Sequence, residues 1–373
     1  MKFLQKFKRI TYSTSYLPEV DGLRFVAIFS VVVIMHIPNY LNEKFYNNEF
    51  IPQGYWKSFS IAGGHGVDLF FVISGFILSL PFAKWRINKA KKVSLKKYYL
   101  RRLTRLEPPY VIALTIFFIA NIWVLNTYSF KVLFPHFLTS AAYLHTIVYH
   151  SFSWILPVAW SLEVEVQFYI LAPLFFLIYA IPLRAIRSTI FLLVIIIGSY
   201  YWFDHWGVGN VFTFLRLFFM GMLLSDLYCT KTVLFKNKSF GFVIGVLSLV
   251  GFLFVPSIYY DETGLHYGIG YLAKMVFIFF LFHCVLTNGH IRKLFSAQLI
   301  VIIGGMCYSI YLLHLAIISA AGTILIKAGT GLSQQFCFPL WALLFILITL
   351  VISAIYFLLI EKPFMKPRGA LKK

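Results

Sequence analysis

His36, Asp68, Glu165, Arg216 and His314 each stand inside or at the edge of an otherwise apolar run. Their types suit proton transfer and charge stabilisation in one polar site. A neutral imidazole can take a proton near pH 7. A carboxylate can pair with such an imidazole, and a guanidinium can stabilise negative charge. The stretch that anchors the set is Glu19-Val20-Asp21-Gly22-Leu23-Arg24, followed by the uncharged run Phe25–Met35 and then His36. A second set is basic: Arg101, Arg102 and Arg105 precede Glu107-Pro108-Pro109. Arg101 and Arg105 lie one turn apart and share a face if helical, and arginines grip phosphates bidentately. Each residue taken alone also has a plain reading. For the intramembrane groups it is an interhelical hydrogen bond, and for the arginines it is contact with lipid headgroups.

The elements that must position these residues are membrane helices. The chain has 373 residues and is 60% hydrophobic, 19% aromatic and 12% charged, against about 45–50% apolar and about 25% charged for soluble domains. About ten apolar runs approach the length that crosses a bilayer as helix. They lie near 22–38, 64–82, 109–126, 159–181, 188–204, 210–228, 240–256, 269–288, 297–321 and 338–360. The expected fold is an all-α integral membrane bundle. Lys and Arg crowd the gaps 83–108, 182–187, 229–239 and 289–296 and the tail, while 39–63, 127–158, 205–209 and 257–268 are poor in them. By the positive-inside rule both termini are cytoplasmic, which an even number of spans satisfies.

Orientation then sets depth. The first span runs outward, so Arg24 lies near the inner face and His36 roughly 18 Å further out. Asp68, Glu165, Arg216 and His314 fall at mid to outer depth in their own spans. Intramembrane ionisable groups are rare and normally face a cavity, so a set at one level points to one polar site. His65 and Glu163 share that level and read as structural. The segment 127–158, with His136, His145 and His150, is too apolar for a free loop. It is expected to re-enter the membrane or to cap a cavity, which is tolerated where protein covers the backbone.

The net charge of +20 is topological, so nucleic acid is not an expected partner. Cys229, Cys284, Cys307 and Cys337 form no Cys-x-x-Cys pair and stand apart from any metal-spaced histidine, so they read as small core residues and no metal is expected. Residues 1–20 are basic through Lys2, Lys6, Lys8 and Arg9, without an apolar core before Asp21. They read as a cytoplasmic arm at the membrane surface and not as a cleaved signal peptide. Residues 21–363 read as the membrane domain and 364–373 as a basic cytoplasmic tail.

The same residues form a pattern that resembles the membrane-bound acyltransferase 3 family. Asp21-Gly22-Leu23-Arg24 with His36 is similar to the family's first-helix motif, and Gly66-Val67-Asp68-Leu69-Phe70-Phe71-Val72-Ile73-Ser74-Gly75-Phe76 to its second. Arg101-Arg102 with Arg105 and Pro108 resembles its basic entry to the third helix. Trp160-Ser161-Leu162, Glu165, Gln167, Phe168 and Tyr169 resemble the fourth. Tyr308-Ser309-Ile310-Tyr311 with His314, and Glu361-Lys362-Pro363, resemble the C-terminal signatures. The eleven residues between Arg24 and His36 are one more than the family's usual spacing. The extra residue turns His36 by about 100° relative to Arg24 unless a bulge absorbs it. His65 and Glu163 are outside the expected family set, and no counterpart of the extracytoplasmic hydrolase domain of some members is read here.

The resemblance implies transfer of an acyl group, most often acetyl from acetyl-CoA, to a hydroxyl of a bacterial surface glycan or its lipid-linked precursor. Arg101, Arg102 and Arg105, with Arg24, would hold the coenzyme's phosphates, and the thioester would meet the acceptor near His36. The chain is then a multi-pass protein of the bacterial inner (plasma) membrane, with acyl-CoA, glycan and membrane lipid as partners. A homo-oligomer is left open. The alternative reading is a transporter or flippase of a glycan precursor, which needs the same buried charges but no acyl chemistry; the repeat symmetry common in transporters is not found.

Overall fold

The computed structural model describes every residue except 1–3, 11–15, 48–50, 52–54, 201–208, 255–264, 328–333 and 366–373. Most of the expected basic tail, the end of the expected span 188–204 and most of the gaps 205–209 and 257–268 lie outside the described residues.

Among the described residues the structure is helical, without a strand. In chain order the helices are α1 (Pro18–Phe45), α2 (Tyr55–Ala62), α3 (Gly66–Ile87), α4 (Leu95–Ile119), α5 (Phe130–Ala141), α6 (His145–Tyr149), α7 (Ala159–Phe175), α8 (Arg184–Tyr200), α9 (Val211–Cys229) and α10 (Lys238–Phe254). They continue as α11 (Leu265–Thr287), α12 (Gly289–Phe295), α13 (Gln298–Gly305), α14 (Cys307–Lys327) and α15 (Gln334–Tyr356). Among the described residues seven helices are long and apolar enough to cross a bilayer, and the bent pair α11–α12 would make an eighth. Each of the ten expected spans has helix at its centre, yet four differ from a simple crossing. Helices α8 and α10 are 17 residues each as described. The expected span 297–321 is interrupted at Met306, between α13 and α14. At the α11–α12 junction the chain turns by 97°. Asn288 makes that corner: its Oδ1 accepts from the N–H groups of His290 at 3.0 Å and Ile291 at 3.4 Å, which caps α12.

The chain divides into two compact units, residues 1–70 with 233–359, and residues 71–232 with 360–373. In the first unit α1 packs along α13, α10 along α11 and α14 along α15. Helix α1 is not regular. Its middle, Ser30–His36, is a π-helix, with α-helix on either side. A π-bulge is equivalent to one residue inserted into an α-helix. The twelve steps from Arg24 to His36 therefore behave as eleven α-helical steps, which return to within roughly 20° of the starting direction. The bulge absorbs the extra residue and keeps His36 on the face of Arg24. The widened turn packs on the 3-10 turn Gly63–His65. A Cβ on Gly63 would lie 2.6 Å from the Ser30 carbonyl oxygen and 2.9 Å from the Met35 nitrogen, so only glycine admits this approach.

In the second unit α8 packs on α9. A buried ion pair ties them, with Arg187 Nε 2.6 Å from Asp226 Oδ2 and Arg187 Nη1 donating to the Ile181 carbonyl at 2.7 Å. Arg187 counts toward cytoplasmic charge in the sequence, but it is spent on this pair at 4% exposure. The Phe168 ring of α7 stacks on Phe218 of α9 at 3.9 Å. Segment 127–158 holds α5 and α6, and it is closed by side chains. His136 Nδ1 is 2.9 Å from His145 Nε2, and the His136 ring stacks between Tyr149 and Trp154.

The bulge gives a direct test. Deleting Val33, inside the π turn, is expected to return Ser30–His36 to α-helix and leave the thermal midpoint in detergent within about 5 °C of the intact protein. Deleting Ala27, in regular helix, rotates everything beyond it and is expected to cost more than about 10 °C. Equal loss in both deletions would contradict the bulge account.

Candidate active site

Helix α1 presents two polar ends. At its start Asp21, 1% exposed, is gripped from three sides: Arg9 Nη1 donates to Oδ1 at 2.9 Å, the Tyr16 hydroxyl donates to Oδ2 at 2.7 Å, and Arg24 donates to Oδ1. The N-terminal arm thus folds Arg9 back onto the first-helix motif. Arg24 and Asp21 are one turn apart on the helix, a spacing that favours such a pair.

At the far end of the π turn stands His36, half-buried, with Nδ1 2.8 Å from Nε2 of His314. His314 lies on α14 and is fully buried. Its own Nδ1 is 2.8 Å from the Tyr311 carbonyl and 3.2 Å from the Ile310 carbonyl. Carbonyl oxygens only accept, so the partners assign a hydrogen to His314 Nδ1. In the neutral ring Nε2 then accepts, and among the described residues the donor that meets it is Nδ1–H of His36. His36 Nε2 is left with its lone pair, which is the form a general base needs. An imidazole here occupies the place beside His36 where the sequence led us to expect a carboxylate.

The carboxylate of Asp68, at the start of α3, has other company. Its Oδ2 is 2.5 Å from Nζ of Lys274 and 3.1 Å from Nδ1 of His65. Lys274 Nζ is also 2.9 Å from His65 Nδ1. Asp68 and Lys274 are both buried. Lys274 has no place in the sequence-based site, although a signal existed: it is a single lysine inside the apolar run Leu272–Phe282, and an intramembrane lysine needs a partner.

The remaining predicted residues belong to the second unit. Glu165 on α7 accepts from the Ser74 hydroxyl, and Tyr169, one turn on, hydrogen-bonds the same carboxylate. The Arg102 guanidinium lies 5.8 Å from the centre of the Tyr169 ring. Glu165 and Arg102 thus belong to one polar network. Arg101 is exposed, and Arg102 and Arg105 are half-buried along α4. Arg216, 2% exposed, donates to the carbonyls of Gly198 at 3.1 Å and of Thr213. It lines an otherwise largely apolar cavity of about 420 Å³ with Val194, Ile197, Asn210, Phe212 and Leu215. Glu163 is fully buried and accepts from the N–H and hydroxyl of Thr146 at 2.8 and 2.7 Å, a structural role. Among the described residues no group of three or more His, Cys, Asp or Glu side chains is placed to hold a metal ion.

Comparison with known proteins follows the same lines. Residues 17–358 match the model of the acyltransferase 3 family, described as an acyltransferase domain. A protein of Staphylococcus aureus strain COL, named "Putative O-acetyltransferase SACOL0978", is 26% identical over 392 residues, covering 98% of this chain and 59% of that protein. The O-acetyltransferase OatA of S. aureus strain NCTC 8325 / PS 47 is 25% identical over 396 residues, covering 96% of this chain and 59% of OatA. The chain therefore spans about three fifths of the length of these relatives. No solved structure matches it. The family match runs through every motif from Asp21 to His314 and covers nearly the whole chain, so the chain belongs to the acyltransferase 3 family.

Proposed function

We propose that the chain is a transmembrane O-acyltransferase that moves an acyl group, acetyl first, from a cytoplasmic acyl-CoA to a hydroxyl of a surface or lipid-linked glycan. We assign it to the plasma (inner) membrane of a bacterium, with about ten spans and both termini cytoplasmic. Residues 1–20 and 364–373 serve as basic cytoplasmic segments and 21–363 as the catalytic membrane domain. Support comes from family membership and from relatives named for O-acetyl transfer. The long apolar helices and the alternation of basic gaps support the membrane assignment.

One observation carries the chemistry: the His36–His314 pair, whose hydrogen bonds leave His36 Nε2 bare. In the reaction His36 Nε2 takes the acceptor's hydroxyl proton while the oxygen adds to the thioester carbonyl. The tetrahedral intermediate collapses, the C–S bond breaks, and the imidazolium returns its proton to the CoA thiolate. His314 acts as a positioning residue. Its Nε2 accepts from His36 Nδ1–H throughout, and the Tyr311 and Ile310 carbonyls stabilise it from behind. This does for the base what a buried carboxylate does in a hydrolase triad, with less electrostatic pull. Arg101, Arg102 and Arg105 take the phosphates of the donor, with Glu165 as the carboxylate that orders Arg102. Arg24 and Asp21 fix the inner end of α1. Asp68 enters through its cluster with Lys274 and His65, and Arg216 supplies positive charge to the cavity beside it.

His36→Ala is expected to lower CoA release from acetyl-CoA by at least about 10³-fold while the protein stays folded and inserted. His314→Leu is expected to cost about 10²-fold in kcat with little change in KM, and His314→Gln, whose side-chain oxygen can accept from Nδ1–H, to recover most of that. Near-normal acylation by folded His36→Ala would remove His36 from the mechanism. Transport of a glycan precursor by purified protein without release of CoA would favour the flippase reading instead. Arg105→Gln is expected to raise the KM for acetyl-CoA about tenfold at unchanged kcat, measured by initial rates.

A further inference from the structure

Two hydroxyls of the first unit depart from the habit of the rest of the chain. A serine or threonine inside an α-helix can return its hydroxyl to the carbonyl one turn back. Thr115, Ser199 and Thr287 do so at 2.7 Å, and Thr323 at 2.9 Å. Thr349 and Ser353 on α15 do not. They are 1% and 0% exposed, and neither hydroxyl has a hydrogen-bond partner among the described residues. They stand in the most apolar of the described spans, with a mean hydropathy of 3.0. A buried polar group without a partner costs stability, so two of them one turn apart need a reason.

The packing of α15 sets where they lie. Phe345, Thr349 and Ser353 recur every fourth residue and form its buried face, while Leu343, Leu347, Val351 and Ile355 are exposed. This face runs against the direction of α1. The Trp341 ring lies 5.6 Å from that of Phe45, and the Phe345 ring lies 6.0 Å from that of Tyr40. The next turn of α15 therefore meets the turn of α1 before Tyr40. That register brings Thr349 to the level of His36 and puts Ser353 roughly 6 Å further along, toward the Arg24 end of α1. Helix α15 also packs on the π turn that ends at His36 and along α14, which carries His314.

A thioester donor has two acceptors at this spacing. Five bonds separate its carbonyl carbon from the carbonyl carbon of the nearest amide in the pantetheine arm, roughly 6 Å when extended. We propose that Thr349 is a catalytic residue, its hydroxyl donating to the thioester carbonyl oxygen as that oxygen becomes the oxyanion, and that Ser353 binds the first amide carbonyl of the pantetheine arm. The inference rests on the acyltransferase reading above and keeps its direction: a donor entering from the Arg24 end passes Ser353 first and brings the thioester to the level of His36. The proton count of the reaction is unchanged. Thr349 donates a hydrogen bond and gives up no proton, while the acceptor's hydroxyl proton passes through His36 to the CoA thiolate as the C–S bond breaks.

The test removes one hydroxyl at a time from the full-length protein in detergent. Initial rates of CoA release are measured with acetyl-CoA as donor and glycan extract from the host as acceptor, and the thermal midpoint is recorded for each variant. Because the hydroxyls hold nothing within the protein, Thr349→Val and Ser353→Ala are expected to keep or raise the midpoint. Thr349→Val is expected to lower kcat about 100-fold with the KM for acetyl-CoA within about threefold, and Thr349→Ser, which keeps a hydroxyl, to stay within about tenfold of the wild type. Ser353→Ala is expected to raise the KM for acetyl-CoA about tenfold with kcat within about threefold. Full kcat in Thr349→Val, a Thr349→Ser as inactive as Thr349→Val, or an unchanged KM in Ser353→Ala would overturn the proposal. So would midpoints lowered by more than about 5 °C in Thr349→Val and Ser353→Ala, which would make the hydroxyls structural. In each of those cases a folded but inactive His36→Ala would leave the acyltransferase reading standing. No CoA release by the wild type would overturn that reading and this inference together.

Discussion

In a membrane interior an imidazole cannot borrow hydrogen bonds from water, so its protonation state is decided by the groups packed against it. The structure depends on that constraint at His36. The carbonyls of Tyr311 and Ile310 hold a hydrogen on His314 Nδ1, His314 Nε2 in turn holds one on His36 Nδ1, and the last nitrogen of the chain is left basic. Only the backbone of α14, in its own helical geometry, is needed to start this sequence. No buried carboxylate is required next to the base, and the desolvation cost of a charged partner is avoided.

The rest of the first unit serves to bring these groups into place. The π turn restores the face of α1 that an extra residue would have lost, and its width is matched by a glycine turn that lets the two backbones touch. Lys274 and Asp68 neutralise one another, which allows a charge of each sign inside an apolar helix pair. The second unit is held by a different set of buried contacts, the Arg187–Asp226 pair and the network around Glu165, Ser74, Tyr169 and Arg102.

Much of this was legible in the sequence, and its limits have physical causes. Apolar runs located the centres of the helices, because burial in lipid demands an apolar segment of fixed minimum length. They did not reveal the break at Met306 or the corner at Asn288, because hydropathy carries no information on direction. The motif residues His36 and His314 stood out as isolated ionisable groups, and they meet at 2.8 Å. Which partner each would find was not legible: a carboxylate is the commoner companion of a basic imidazole, and the choice of His314 depends on helix packing. Lys274 was overlooked because its run reads as uniformly apolar, though a lone lysine there has to be paired. The extra residue before His36 pointed to either a rotation or a bulge, and only backbone geometry separates the two.

The central claim is that His36 is neutral and protonated at Nδ1, with Nε2 bare. Solid-state nitrogen NMR of the histidine-labelled protein in lipid bilayers at neutral pH tests it most directly, with the His36 signals identified by their loss in a His36→Ala sample. The account predicts a protonated Nδ1 and an unprotonated Nε2 for His36, hydrogen-bonded to an unprotonated Nε2 of His314. A His36 ring protonated at Nε2 and bare at Nδ1 would contradict it.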